Sequence, residues 1–394
     1  MEREVTKREV TKRELVEREV TKRELVEREV TKQELVKREG MKRGIEREGM
    51  KRGIEREGMK RELLELCCEY FGVCESELRY ELLSGAGSNR RYYRVWRGEN
   101  ETGKDSRTGG GSMMCGGSII GVEGELLAEN EAFLSMSESF RAGGLRVALV
   151  LGVSSDRLCY ILEDLGNEQL LHYIDNYHRG IDCSYSWGLI CKAVEGLGEF
   201  QRIADSVVDY AVCYPRGDFG RRNVMWDLNY FKYCYLKLSG KLFDESLLED
   251  YFEELCDKLL DGVEYSFMYR DYQSRNIMVR DGDIYFIDFQ GGRRGPVYYD
   301  IVSFLWQSKA GFSDSEREEL LCLYERSSGR HLDRERYWLY VLFRLLQVLG
   351  AYGYRGLYEG KVHFLESLPI AERNVRELLS SGVLGDIRFK DLKI

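Results

Sequence analysis

The sequence has no CxxC pair, no apolar run near the roughly 18 residues of a membrane span, and no excess of positive charge. Each absence removes a class. Eleven cysteines, an odd number at irregular spacing from Cys67 to Cys322, suit neither a disulfide framework nor a zinc site, so reduced and mostly buried thiols are expected. A net charge of −9 and a pI near 5.4 argue against a general nucleic-acid binder. The N-terminus is charged and lacks the apolar stretch of a secretion signal. A soluble, cytoplasmic protein without membrane or nucleic-acid partners is the expectation. The four histidines, His172, His178, His331 and His363, fall outside every motif described below. What is present is ample core material: 394 residues, 43% hydrophobic and 12% aromatic, enough for two or three domains.

The first sixty residues differ from the rest. REVTK and RELVE units recur from Arg3 to about Lys37, followed by REGMKRGIE units at Arg38, Arg47 and Arg56. On a helix, apolar residues five apart such as Val5, Val10 and Leu15 advance by roughly 140° per step, so they wind around the axis and make no coiled-coil seam. Residues 1–60 therefore read as a solvated charged helix or a disordered arm without a role in catalysis.

From Arg61 the pattern is that of a globular chain. An amphipathic helix ends at Gly72, and two strand-like segments flank the Gly-rich Ser84–Gly85–Ala86–Gly87–Ser88. Residues 98–117 form a glycine-rich loop, Ser118–Val122 a third strand, Leu126–Phe140 a helix, and Leu145–Val153 and Leu158–Leu162 two more strands. The remainder is mainly helical, with helices over Trp187–Ile203, Met225–Leu238, Glu245–Leu260, Tyr299–Gln307, Ser315–Ser327, Arg334–Tyr352 and Ile370–Leu379. Two short strands around an Asp281–Gly282 turn interrupt them within Ser266–Phe289. The result is an α+β, two-lobed chain divided as 1–60, 61–165 and 166–394.

The strongest chemical signal is Tyr269-Arg270-Asp271-Tyr272-Gln273-Ser274-Arg275-Asn276, followed by the hairpin and Ile287-Asp288-Phe289. The hairpin returns the chain so that Asp271, Asn276 and Asp288 can converge. Oxygens of Asn and Asp suit a hard cation such as Mg²⁺, and the remaining carboxylate can orient or deprotonate a hydroxyl. Phosphoryl transfer needs little beyond such positioning and charge neutralisation. The glycines at Ser84–Ser88 would let backbone N–H groups approach phosphate oxygens. In an extended strand Arg90 and Arg94 share one face and Arg91 takes the other.

On these residues, with Ser88-Asn89-Arg90-Arg91-Tyr92-Tyr93-Arg94-Val95 and Leu162-Glu163-Asp164-Leu165-Gly166, the chain resembles the aminoglycoside phosphotransferase/choline kinase-like family over about residues 62–380. Within it, the motifs look like those of bacterial anomeric sugar kinases acting on N-acetylmuramate and N-acetylglucosamine. The resemblance implies a bilobal protein-kinase-like fold with a small antiparallel-sheet N-lobe and a mainly helical C-lobe. It also implies ATP and Mg²⁺ as cofactors and a small-molecule hydroxyl, most readily a sugar, as acceptor. Asp271 would be the catalytic base, Asn276 and Asp288 the metal ligands, Glu163, Asp164 and Leu165 the hinge that meets adenine, and Gly85, Gly87, Ser88 and Arg94 the phosphate contacts. Asp300 would buttress the catalytic loop. Asp218, Asp227, Arg275 and Gln290 are the candidate acceptor contacts, with Trp226 a possible stacking surface for a sugar. The other readings are an aminoglycoside or choline-type acceptor, and a catalytically weak nucleotide-binding or interaction module.

The chain departs from that pattern twice. Tyr269 stands where many relatives have His. No lysine lies between Lys104 and Gly166, so the third strand has none to hold the phosphates and Glu131 lacks its usual partner. Either an arginine such as Arg94 supplies the charge, or nucleotide binding is weak.

Overall fold

The computed structural model describes residues 58–83, 90–98, 117–385 and Ile387. The repeat tail and the Ser84–Ser88 loop, with Gly85, Gly87 and Ser88, lie outside the described residues.

Strands β1 (Leu78–Leu83), β2 (Arg91–Arg97), β3 (Ser118–Glu123), β4 (Val150–Val153) and β5 (Cys159–Glu163) form one antiparallel sheet in the order β1-β2-β3-β5-β4. Helix α1 (Arg61–Phe71) lies on its outer face, where a Cβ on Gly121 would sit 3.2 Å from Leu63 Cδ2. Residues of the opposite parity, Ile120 and Val122 on β3 and their partners Arg94 and Tyr92 on β2, therefore point to the other side, toward the helical lobe. Arg91 takes the outer face, with Nη1 3.7 Å from Glu123, as the strand alternation requires. Helix α2 (Leu127–Ala142) buries Phe133, Met136 and Phe140.

Beyond the hinge come α3 (Leu170–His178), α4 (Cys183–Val207), α5 (Arg221–Phe231), α6 (Glu245–Leu260), α7 (Tyr298–Leu305), α8 (Asp314–Ser328), α9 (Arg334–Tyr352) and α10 (Val362–Ser380). Two small antiparallel pairs lie among them: β6 (Tyr265–Met268) with β9 (Arg293–Pro296), and β7 (Ile277–Arg280) with β8 (Asp283–Phe286). This is the two-lobed α+β architecture expected.

Three elements differ from expectation. The hairpin is narrower, running Ile277–Phe286 around Asp281 and Gly282, both at positive φ. Tyr265–Met268 pairs instead with Arg293–Pro296, a strand whose Arg-Arg-Gly-Pro sequence carries no apolar alternation. Helix α10 starts at Val362 and contains Pro369, where a helix from Ile370 is expected from the sequence; Leu368, Ala371 and Val375 bury one continuous face across it. Four of the ten described cysteines are buried, fewer than expected, and burial pushes the Cys67 thiol up to about 12.

The part of the core that matters for the site is aromatic. Phe200 of α4 packs on Phe140 of α2 (4.8 Å between centroids), Phe286 of β8 (4.8 Å) and Tyr269 (5.3 Å). Phe289, at the end of the Ile-Asp-Phe segment, stacks on Phe133 at 5.0 Å and meets Phe140 edge-on at 5.0 Å. Rings at such spacing contribute about 1 kcal/mol per pair beyond the burial of their area. They tie α2, α4, the catalytic loop and the hairpin into one block.

Candidate active site

The segment Tyr269–Asn276 is held from behind by buried groups. Asp300, at the start of α7 and fully buried, accepts the N–H groups of Tyr269 (2.7 Å) and Arg270 (2.9 Å) and faces Gln201 Nε2 at 3.4 Å. This is the buttress the sequence suggested. Burial pushes the Asp300 carboxyl up to about 7, against the three N–H donors, which favour its charged form. Arg270 needs such support because its φ is +79°, a region that non-glycine residues avoid.

Tyr269, in the place of the expected histidine, is part of the core. Its hydroxyl donates to the Ile287 carbonyl at 2.5 Å and so ties the catalytic loop to the returning hairpin strand. Asn276 makes the second tie. Its Nδ2 donates to the Asp271 carbonyl (2.9 Å) and its own carbonyl accepts from Ile287 N–H (3.1 Å). With Nδ2 anchored, Asn276 presents Oδ1 as an oxygen donor. Asp288 follows Ile287 directly, also at positive φ (+66°), and accepts from Gln290 Nε2 at 2.8 Å. Its carboxyl is held above the usual range, first by burial and then by the charge of Asp271, while Arg275 and Arg90 pull it down. Asn276 thus ties the Asp271 backbone to the strand that leads into Asp288, and Asp271 lies within electrostatic reach of the Asp288 carboxyl. The Asp288 carboxyl, raised in part by the Asp271 charge, lies beside an amide oxygen; this hard-oxygen set is one that a divalent cation would neutralise, so these residues fit Mg²⁺. Gly291 closes over Asp271; a Cβ there would lie 3.8 Å from Asp271 Oδ2.

The hinge carries a second polar cluster. Arg94 reaches Asp164 through Nε (2.6 Å) and Nη2 (3.0 Å), and also bonds Asn167 Oδ1 (2.7 Å) and the Gly166 carbonyl (3.1 Å). Ser118 donates to the same carboxylate at 2.8 Å, and the bonds from Arg94, Gly166 N–H and Ser118 hold Asp164 below the usual carboxylate range despite burial. Arg94 is therefore bound to the hinge in this structure. Glu163 is locked by Arg280 (2.7 Å) and its N–H donates to the Leu149 carbonyl (2.9 Å). Among the described residues no hydrogen bond uses the backbone of Leu165, which leaves that edge for a ligand. A hollow of about 700 Å³ adjoins this segment, walled by Arg94, Asp164, Tyr173, Tyr185 and the turn at Val279–Gly282; the catalytic-loop carboxylates are not among its lining.

The candidate acceptor residues divide. Arg275 and Gln290 act on Asp288, the first through its charge and the second through a hydrogen bond. Asp227 is buried on α5 with both oxygens 2.8 Å from Arg270 Nη2, so its carboxylate belongs to the catalytic loop's arginine, whose guanidinium also stacks on Phe219 and Tyr299. Asp218 is exposed, 3.6 Å from Arg216, and bridges to Arg294 through its backbone. Trp226, the residue before Asp227 on α5, is half exposed. Glu131 is paired with Arg157 at the surface. The glutamate of α2 that turns toward the sheet's inner face is Glu129, and its partner is Arg90. Sequence reasoning missed that pair because Arg90 precedes the strand and Glu129 lies one turn's fraction before the expected position.

Residues 123–338 match the phosphotransferase enzyme family. The chain is 28% identical over 175 residues to an N-acetylmuramate/N-acetylglucosamine kinase from Pseudomonas aeruginosa, an alignment covering 43% of this chain and 47% of the relative. The chain thus spans about half the length of the curated relative it matches. Among solved structures, a choline kinase from Cryptosporidium parvum superposes with a TM-score of 0.53 at 11% identity, over 82% of this chain and 97% of that one. A spectinomycin phosphotransferase solved with ADP and spectinomycin gives 0.51 at 12% identity, over 84% and 100%. At such identities the likeness is one of fold. Among the described residues no helix is long and apolar enough to cross a membrane.

Proposed function

We propose that this chain, which belongs to the phosphotransferase enzyme family, transfers the γ-phosphoryl group of ATP to a hydroxyl of a sugar or amino sugar. The observation that supports the reading is Asn276 bonded to both Asp271 and Ile287, with Asp288 next in the chain and within electrostatic reach of Asp271. In this reading residues 61–165 hold the nucleotide and 166–394 supply the catalytic loop and acceptor site, in a cytoplasmic enzyme with access to ATP. Adenine lies along Leu165, whose backbone edge is unused among the described residues, with Glu163 and Asp164 fixing the hinge on either side.

Asp271 is half-buried at the mouth of the loop. It accepts the proton of the acceptor hydroxyl as the new O–P bond forms and the bond from the γ-phosphorus to the β–γ bridging oxygen breaks, with ADP as the leaving group. Asn276 Oδ1 and Asp288 would hold Mg²⁺, which when bound supplies neutralisation of phosphate charge. Gln290 orients the Asp288 carboxyl, and with Arg275 it favours the charged form against burial. The 28% identical sugar kinase favours a sugar acceptor.

The test is ADP release with N-acetylglucosamine, N-acetylmuramate, choline and an aminoglycoside, each with wild type and Asp271→Asn, and ³¹P NMR of any product. Turnover confined to the sugars and abolished by the substitution supports the reading. Turnover of choline or the aminoglycoside instead would remove the sugar assignment. No turnover together with no ATP binding would remove phosphoryl transfer and leave an interaction module.

A further inference from the structure

No strand of the five-stranded sheet contains a lysine, and Val122 and Tyr92 occupy the paired inward positions beside α2. The sheet nevertheless places one cation at that spot. Arg90, immediately before β2, is 4% exposed. Its Nη2 donates to the Glu129 carbonyl (3.1 Å) and lies 3.5 Å from Glu129 Oε1 at the start of α2. Its guanidinium sits 5.6 Å from the Phe133 ring centre, and Phe133 in turn stacks on Phe289, next to Asp288. Arg90 also hydrogen-bonds the buried Tyr92 hydroxyl, and its charge acts on the Asp288 carboxyl.

A charge kept this far from water is sustained only by ions of opposite sign. The carboxylate in contact with Arg90 is Glu129, and the Phe133–Phe289 stack leads from its guanidinium to the residue beside Asp288. Arg94 cannot supply the same charge without leaving Asp164, Asn167 and Gly166. A guanidinium has five donors and can hold a carboxylate along one edge while addressing phosphate oxygens along another. We propose that Arg90, steadied by Glu129, is the phosphate-binding cation of the nucleotide site and takes the place of the missing strand lysine. The assignment rests on the reading of the chain as an ATP-dependent phosphotransferase. It explains why a buried arginine is fixed to the first turn of α2: movement of that helix carries the cation with it, so its position and the phosphate contact are set together.

Calorimetric titration of wild type, Arg90→Met and Arg90→Lys with ATP, ADP and adenosine, in Mg²⁺ buffer, tests this. Loss of charged hydrogen bonds predicts ATP and ADP affinity lower by roughly 10- to 100-fold in Arg90→Met, with adenosine affinity unchanged and part of the loss recovered in Arg90→Lys. ATP affinity like wild type's in Arg90→Met, or equal losses for ATP and adenosine, would overturn the assignment, the second result marking a purely structural arginine. Should the methionine variant fail to fold, Arg90→Gln, polar and of similar length, gives the same comparison. Wild type that binds neither ATP nor adenosine would refute the nucleotide reading itself, a result distinct from a failure of Arg90 alone.

Discussion

Replacing Asp300 with alanine removes the acceptor of two backbone N–H groups that are sealed from solvent, those of Tyr269 and Arg270. Each buried donor left unsatisfied costs about 1–3 kcal/mol, so the pair costs roughly 2–6 kcal/mol. A water admitted to the vacated space would draw the figure toward the lower half of that range. The penalty should also depend on pH, with a definite sign. The native carboxyl, raised by burial to about 7, holds a proton that the unfolded chain, with an aspartate near about 3.9, has already released. The native state then binds more protons than the unfolded state between those values, and stability falls as pH climbs through the window. Alanine has no such dependence. The difference in unfolding free energy between wild type and Asp300→Ala should therefore shrink by about 1 kcal/mol between about pH 6 and about pH 8.5.

Urea unfolding of both proteins at the two pH values measures this directly, since titrations elsewhere in the chain cancel in the difference. A penalty that stays constant or grows with pH would refute the argument, because it would mean that the N–H donors outweigh burial and keep Asp300 ionised throughout. The same variant should lose kcat more than KM: without Asp300, Arg270 can leave its φ of +79° and carry Asp271 with it.

Asp271→Asn should lower kcat by about 10²–10⁴-fold while leaving the melting temperature within a few degrees, checked by ADP release and calorimetry. Asp227→Ala strands the buried Arg270 guanidinium and should cost about 3–5 kcal/mol; adding Arg270→Met should cost less than the two single changes together, a non-additivity that a double-mutant cycle in urea resolves. Phe289→Ala removes a ring packed at 5.0 Å on both Phe133 and Phe140 and should cost about 3–5 kcal/mol in unfolding. It should also weaken Mg²⁺-dependent ATP binding, because Asp288 loses its anchor; unchanged nucleotide affinity in a folded variant would count against that coupling.

What could be read from the sequence was local. Asp271, Asn276 and Asp288 lie within eighteen residues of one another, and the turn at Asp281–Gly282 folds the chain back so that Asn276 and Asp288 flank the paired strands, with Asp271 five residues before Asn276. Alternation along β2 separated Arg91 from Arg94 because the side-chain period of a strand is strict. What could not be read were partners supplied by docking. Asp227 looks like an exposed helix carboxylate until α5 packs against the catalytic loop. Arg94 and Asp164 are 70 residues apart, and nothing short of the folded sheet says that the strand's inner face ends at the hinge. Arg293–Pro296 is a strand because Tyr265–Met268 needs a partner, not through any propensity of its own.

The two non-glycine residues at positive φ in the site, Arg270 and Asp288, stand immediately before the proposed base, Asp271, and at a proposed metal ligand. Each such residue costs about 1–3 kcal/mol and persists only where neighbours over-determine it. At Arg270 the neighbours are Asp300 on the backbone and Asp227 on the guanidinium. At Asp288 they are Gln290 on the carboxylate, the Ile287 bonds to Tyr269 and Asn276 on one side, and Phe289 in the aromatic core on the other. The protein's own contacts therefore carry the strain, and in the proposed function they hold the oxygens oriented toward the substrates. A phosphoryl-transfer site built this way would stabilise charge in the transition state without reorganising during the reaction, which is where electrostatic catalysis gains most of its advantage over water.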